Sequence, residues 1–492
     1  MMMSKKLIYA SILSLIVLSS ITASAVVEPK RTHLIRLKVG EEQQRELRAM
    51  KIKFATGVID SFAMVVVTKT ERALLEERGY TFDDVMHSKT EIDLYKRALY
   101  GKSMKIDPVY HTYEEILDEL AELKKRYPSL LDMKKIGVSS QERREIHAVK
   151  ISDNVSSEED EPAILFSGAI HGDEIAGTEI CMALINHLLT HYEDDDAVRS
   201  WVDNYEIWFI PVINVEGHYV VTHNIDPRWR KNLRDNNGNG VLYEPEDGID
   251  LNRNFDFNWA HGGSSDSNSV RYRGEFPFSE KECAAVRDLV IDQKFVLSVT
   301  YHSQGEVIFY PWSWRDRKAP DDALLTRIAE GLAGSIRTMK GDTTYQAHYG
   351  AGTVGQTYPW MYGTQGTFDF IVETGKGRHV FPKNALLNIV ESNLQGAFYM
   401  LDQLKGPGLT GHVRDADTGK PLVAQVWFPD IDTEDVEKRT SDPLYGRYYR
   451  LLRPGKYRVM FRKEGYAQQV IKNVTVDDDG WLTLDVKLKK NK

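Results

Sequence analysis

Two short motifs carry the residue types of a metal centre. In Ser167-Gly-Ala-Ile-His171-Gly-Asp-Glu174, an imidazole and a carboxylate stand three residues apart. They follow the apolar run 163–166 and precede a helical pattern with apolar residues at Ile175, Cys181, Leu184 and Leu188. His302 closes a second apolar, β-branched run, 295–301, which has the length and composition of a buried strand. Two imidazoles and a carboxylate at strand ends form the donor set of a catalytic zinc, which takes three protein ligands and keeps one position for water. A lone H-x-x-E, or a lone His at a strand end, is ordinarily structural. Their occurrence together makes His171, Glu174 and His302 the candidate ligands.

Two arginine motifs lie between them in the chain: Trp229-Arg230-Lys231 and Asp250-Leu-Asn252-Arg253-Asn254. The guanidinium fork suits carboxylate recognition and oxyanion stabilisation. Asn252 and Arg253 could clamp a free carboxylate, and Arg230 could stabilise the charge of a tetrahedral intermediate. The segment Gly366-Thr-Phe-Asp369-Phe-Ile-Val-Glu373-Thr-Gly reads as a strand. Period-2 alternation places Asp369, Ile371 and Glu373 on one face. A carboxylate in a mainly apolar strand needs a partner or a role; a general base acting on zinc-bound water is such a role.

Taken in order, HGDE, WRK, NRN, a strand ending in His-Ser and a strand carrying Glu-Thr-Gly resemble the zinc metallocarboxypeptidases of the carboxypeptidase A/B and N/E type, over roughly residues 108–405. The lead-in agrees: Tyr110-His-Thr-Tyr113 opens an amphipathic helix that stops at Tyr127-Pro128. The resemblance implies zinc on His171, Glu174 and His302. It implies Glu373 as general base and then proton shuttle, and Arg230 on the scissile carbonyl. Asn252 and Arg253 would hold the substrate's C-terminal carboxylate. The family also closes a tyrosine over its substrate from a mobile loop. Tyr358 is the choice here, with Tyr349 and Tyr345 as rivals, and the segment is shortened before Trp360. Asp369, on the face of Glu373, is expected to line the pocket and favour a basic C-terminal side chain.

One insert has chemistry of its own. Asp235-Asn-Asn237-Gly-Asn239-Gly240 followed by Glu246 fits the twelve-residue calcium-loop pattern, with oxygen ligands at alternate positions and a Gly at the sharp turn. The flanking helices of an EF-hand are missing. Asp235, Asn237, Asn239 and Glu246 are therefore the ligands of an expected structural calcium, alternative to a plain Asn/Gly-rich turn.

These motifs need elements to position them. Apolar runs at 163–168, 205–212, 295–301 and 366–373 read as strands, and 113–126, 174–190, 279–292, 321–339 and 383–404 as helices. This alternation predicts an α/β fold, a mixed and mainly parallel sheet covered by helices on both faces, over residues 106–405. Active residues then gather at strand ends. Residues 26–105 read as a small α+β domain plus a basic linker from Lys89 to Lys105, a possible prodomain over the active site or a permanent accessory domain. After Gly406-Pro-Gly, short strands separated by turn signals predict an all-β sandwich over 406–492. Its Thr410-Gly-His-Val-Arg-Asp-Ala-Asp-Thr-Gly-Lys run resembles the transthyretin-like domain of regulatory carboxypeptidases.

At 492 residues the chain needs more than one core. A net charge of −9 gives no basic footprint for nucleic acid. Lys5-Lys6, the apolar stretch 7–18 and Ala23-Ser-Ala25 read as a signal peptide over residues 1–25. No other stretch reads as a membrane span. The mature protein is expected to be secreted, extracellular or periplasmic, with Cys181 and Cys283 as buried thiols. The reading is a secreted zinc carboxypeptidase acting on peptide or protein C-termini. Its alternatives are a related zinc hydrolase acting on cell-wall peptides or amides and, third, an inactive peptide- or surface-binding protein on the same scaffold.

Overall fold

The computed structural model describes residues 33–54, 62–84, 106, 109–240, 242–244, 246–314, 317–351 and 354–491. The expected signal peptide and the Lys89–Lys105 linker lie outside the described residues. The chain divides into two compact units, Met1–Lys102 and Ser103–Lys492.

The first unit is a four-stranded antiparallel sheet of β1 (His33–Lys38), β2 (Lys53–Phe54), β3 (Phe62–Val67) and β4 (Phe82–Asp84), ordered β2-β3-β1-β4. Alternation writes its core: Ile35 and Leu37 from β1 and Ala63, Val65 and Val67 from β3 are buried. The helices Glu41–Ala49 and Lys69–Glu77 add Leu47 and Leu75 to the same cluster. The strand β2 was not among the expected elements.

The second unit is built on a nine-stranded sheet. Its strands are β5 (Leu131–Val138), β6 (Glu145–Ile151), β7 (Ala163–Ser167), β8 (Glu206–Ile210), β9 (Leu297–His302), β10 (Val307–Trp314), β11 (Arg317–Lys318), β12 (Gln346–Ala351) and β13 (Phe368–Glu373). Their order is β11-β10-β13-β9-β7-β8-β6-β5, with β12 on β10. The central strands β13, β9, β7 and β8 run parallel. The flanks β6, β5 and β10 are antiparallel to their inner neighbours, while β12 runs parallel to β10 at the edge. β7, β8 and β9 are buried along their whole length, which is why they read as unbroken apolar runs.

From β7 the chain crosses to β8 on one side and later returns to β9 on the other. Crossovers that leave in opposite directions open a crevice beyond the C-terminal ends of the strands between them. His171 follows β7, and His302 and Glu373 end β9 and β13. All three therefore reach the same rim. Cys181 and Cys283 are both free and buried.

Beyond the helix Lys383–Gln403 come β14 (Gly408–Asp415), β15 (Gln425–Trp427), β16 (Arg447–Leu451), β17 (Gly455–Arg462), β18 (Gln469–Val476), β19 (Trp481–Thr483) and β20 (Val486–Leu488). One sheet is centred on β14 and the other runs β15-β17-β18. Leu409, Val413, Phe428, Tyr448, Phe461 and Val486 pack in the core of this C-terminal domain.

Candidate active site

The HGDE turn is fixed by backbone contact. The Gly172 N–H donates to the Arg230 carbonyl at 2.9 Å. A Cβ on Gly172 would stand 2.5 Å from the Trp229 carbonyl oxygen and 2.6 Å from the Gly217 carbonyl carbon. Only glycine lets the first metal motif lie against the WRK segment, so HGDE and WRK are packed as one unit.

His171 Nδ1 and His302 Nδ1 lie 3.2 Å apart. Glu174 places Oε1 2.9 Å from His171 Nδ1 and Oε2 2.8 Å from His302 Nδ1. A tetrahedral zinc with Zn–N bonds of about 2.05 Å would hold two nitrogens about 3.3 Å apart. The three buried side chains therefore fit the ion in donor chemistry and in spacing. Among the described residues this is the one group of three or more His, Cys, Asp or Glu side chains whose donor atoms close together.

The second ring nitrogens are also held. His171 Nε2 meets Asp250 Oδ1 at 3.2 Å, a contact that leaves Nδ1 turned inward as the metal donor. Asp250 Oδ2 accepts from Arg230 Nε at 3.1 Å and Nη2 at 3.0 Å. Burial opposes the charge on Asp250, but Arg230, Arg253 and His171 hold its carboxyl well below the usual range. His302 Nε2 lies 3.2 Å from Asn252 Nδ2, and Asn252 Oδ1 accepts from the Thr357 N–H at 3.0 Å. Asp250 received no role from sequence. Its signal was position alone, two residues before Asn252 in D-L-N-R-N.

Glu373 is in register with His302 across the parallel pair β13–β9. Burial, and then the charge of Glu174, push its carboxyl up to about 8, while His171, Arg230 and Arg253 pull against them. Arg230, Asn252, Arg253, Tyr358 and Glu373 line one cavity of about 220 Å³ with the three metal ligands. Its remaining wall is Gln356 and Ile371, from the segments of Tyr358 and Glu373, and Phe309 and Gly350, from segments that sequence did not connect.

Three expectations take a different form. Asp369 does not line the cavity; it is fully buried beside Thr300, whose Oγ1 lies 3.3 Å from Oδ1. Alternation did place it on the face of Glu373, but four residues back along a strand is about 13 Å deeper, and Ile371 takes the place in the cavity wall. Tyr358 is a buried wall residue on the short helix Thr357–Trp360. Its hydroxyl fills the room left by Gly350, where a Cβ would collide with it. In the Asp235 loop, the amides of Asn237 and Asn239 donate to Glu244 Oε2 at 3.1 and 2.7 Å. The chain turns at Glu244: Asp247 N donates to the Glu244 carbonyl, and the Asp247 carboxylate accepts from Glu244 N. Asp235 meanwhile accepts from the N–H groups of Gly238 and Gly240, both at 2.8 Å.

Comparison with known proteins agrees with this geometry. A family described as zinc carboxypeptidase matches residues 116–396, and a carboxypeptidase regulatory-like domain matches 408–489. Bovine carboxypeptidase O is 26% identical over 344 residues, covering 68% of this chain and 86% of its own. Rat carboxypeptidase A1 is 26% identical over 353 residues, covering 67% and 80%. The structure of bovine thrombin-activatable fibrinolysis inhibitor, bound to a tick carboxypeptidase inhibitor, superposes with a TM-score of 0.52 at 24% identity, covering 60% of this chain and 97% of that one. With its ligand triad in place and more than half its length matched, the chain belongs to the zinc carboxypeptidase family.

Proposed function

We propose that the protein removes single residues from the free C-termini of peptides, with Glu373 as general base. One observation carries this reading. The ligand triad, the buried carboxylate of Glu373 and the Asn252–Arg253 pair line the same cavity, so a C-terminal carboxylate and the adjacent peptide bond can be held at once. Zinc, when bound, supplies Lewis-acid polarisation of the carbonyl and acidifies the attacking water. Arg253 and Asn252 grip the carboxylate and set the register. Arg230, fixed by Asp250, offers its charge to the developing oxyanion. Glu373 takes a proton from water as the new C–O bond forms. It delivers that proton to the amide nitrogen as the C–N bond breaks, releasing one amino acid and a chain with a new carboxylate.

The cavity wall beyond the machinery is Phe309, Ile371, Tyr358, Gln356 and Gly350. Among the described residues this wall offers no carboxylate to a basic side chain, so neutral, apolar C-terminal residues are the preferred class. Matched peptides with free and amidated C-termini test the reading by mass spectrometry. Cleavage of the free form alone supports it; equal cleavage of both excludes it.

Three further elements belong to the same reading. The apolar run 7–18 and the A-x-A sequence direct export, and among the described residues no helix is long and apolar enough to cross a membrane. Residues 26–105 act as a prodomain, so cleavage within the 89–105 linker raises activity. The Asp235 loop takes calcium through Asp235, Asn237, Asn239 and Glu246, a reading supported by the spacing of these residues around Gly240. Calcium-selective chelation would then lower the melting temperature with zinc content unchanged.

A further inference from the structure

The C-terminal domain is tied to the segment that carries part of the cavity wall, chiefly through one buried carboxylate. Asp321, at the start of the helix Asp322–Ser335, accepts from Arg450 Nη2 on β16 at 3.0 Å through Oδ1. Its Oδ2 accepts from the Tyr362 hydroxyl at 2.8 Å, and the Asp321 N–H donates to the Tyr362 hydroxyl oxygen at 3.0 Å. Arg439, also from the C-terminal domain, lies 3.4 Å from Oδ2 and stacks over the Tyr362 ring at 5.2 Å. Glu437 adds a backbone bond to the Gly363 carbonyl at 2.7 Å. Arg450 and Asp321 side chains are each only 3% exposed, so these contacts form out of water, where placement is strict.

Tyr362 lies one helical turn beyond Tyr358, and Tyr358 and Gln356 line the substrate cavity. The other side of this segment is tied to the carboxylate clamp. Thr357 N donates to Asn252 Oδ1 at 3.0 Å, and the Gly355 carbonyl accepts from Phe255 N at 3.1 Å. The wall of the cavity is thus held between the D-L-N-R-N loop and the C-terminal domain.

We infer that Arg450 and Arg439, through Asp321 and Tyr362, are positioning residues for the substrate wall, so that the C-terminal domain is part of the apparatus that sets affinity for the C-terminal side chain. This rests on the carboxypeptidase reading. A fold-supporting domain would need contact area only. Here its two guanidinium groups converge on the one carboxylate that holds the tyrosine.

The test uses the full chain. Tyr362→Phe keeps the ring and its packing and removes only the hydroxyl. Its KM for a blocked dipeptide with an apolar C-terminal residue is expected to rise about fivefold, with kcat within about twofold, because the wall contributes ground-state and transition-state binding alike. Zinc content should not change. Arg450→Met should reproduce the KM effect, and Arg450→Lys, which keeps the charge, should restore part of it. Arg450→Met leaves Asp321 and Asp432 buried without their shared partner, a change that can prevent folding; Tyr362→Phe then decides alone. Unchanged KM in Tyr362→Phe, or a lower melting temperature as the sole effect of the folded variants, overturns the inference. Failure of the wild-type protein to cleave any free C-terminus would instead overturn the carboxypeptidase reading.

Discussion

Two of the buried clusters of ionisable side chains in the catalytic unit are solved in opposite ways. Around His171, Glu174 and His302, ring nitrogens and carboxylate oxygens point at one another across about 3 Å. In the other cluster, Glu216, Glu280 and Glu282 are all fully buried, yet their oxygens face donors. Glu216 accepts from the N–H groups of Gln141, Glu142 and Leu233. Glu280 accepts from Arg234 and Asn232. Glu282 accepts from the N–H and hydroxyl of Ser140. Burial of acids therefore does not mark a functional site. What marks it is a set of acceptors turned toward a common point, which only a cation satisfies.

The comparison breaks most directly at the ligands. His302→Ala should lose zinc and reduce activity to background, while the apo forms of variant and wild type melt at similar temperatures. Zinc analysis with calorimetry of both apo proteins checks this. If His302→Ala retained full zinc, the convergence of these three side chains would not be what binds the ion.

Next in size is Glu373→Gln. Loss of a general base costs roughly 10² to 10⁴ in rate, so kcat should fall within that range with zinc content intact. Equal loss of zinc would mean that Glu373 is a ligand and not a base. A smaller effect belongs to Asp250→Asn. Hydrogen-bond partners of a metal-bound His are worth about 10- to 100-fold in metal affinity. Competition with a chelator should show a loss of that order, since Asp250 orients His171 and also holds Arg230.

The parts of this site that could be read in advance share a cause. β7, β9 and β13 are central, buried strands, so each appears as a mainly apolar run with a polar residue at its end. The edges did not announce themselves. β5 is only partly buried along its length and carries Lys134 and Lys135, and β10 bulges where it meets β12, so neither keeps clean alternation. The helix Val215–Thr222 is buried on nearly every side, which erases the 3.6-residue period. Part of the cavity wall was illegible for another reason: Phe309 and Gly350 join Ile371 only through the pairing of β10 with both β12 and β13. Asp369 was placed on the correct face but at the wrong depth, because period-2 alternation gives direction and says nothing about distance from the rim.

The smallest expected effect sharpens the comparison from the other cluster. Burial first, then the charges of Glu216 and Glu280, push the Glu282 carboxyl up to about 8. Its folded value thus lies above the unfolded one near 4.5. Below pH 4.5 both states are protonated and the group is neutral toward stability. Between 4.5 and 8 the unfolded chain releases this proton and the folded chain keeps it, so stability falls as pH rises; above 8 the penalty is constant. Glu282→Gln removes the titration and keeps a polar group against Ser140. The variant should match wild type in melting temperature near pH 4.5 and exceed it by a few degrees at pH 8.5, with zinc content and kcat unchanged. A pH-independent difference would mean that Glu282 is ionised in the fold. Loss of zinc in the variant would erase the distinction between a cluster that stores protons and one that binds a metal.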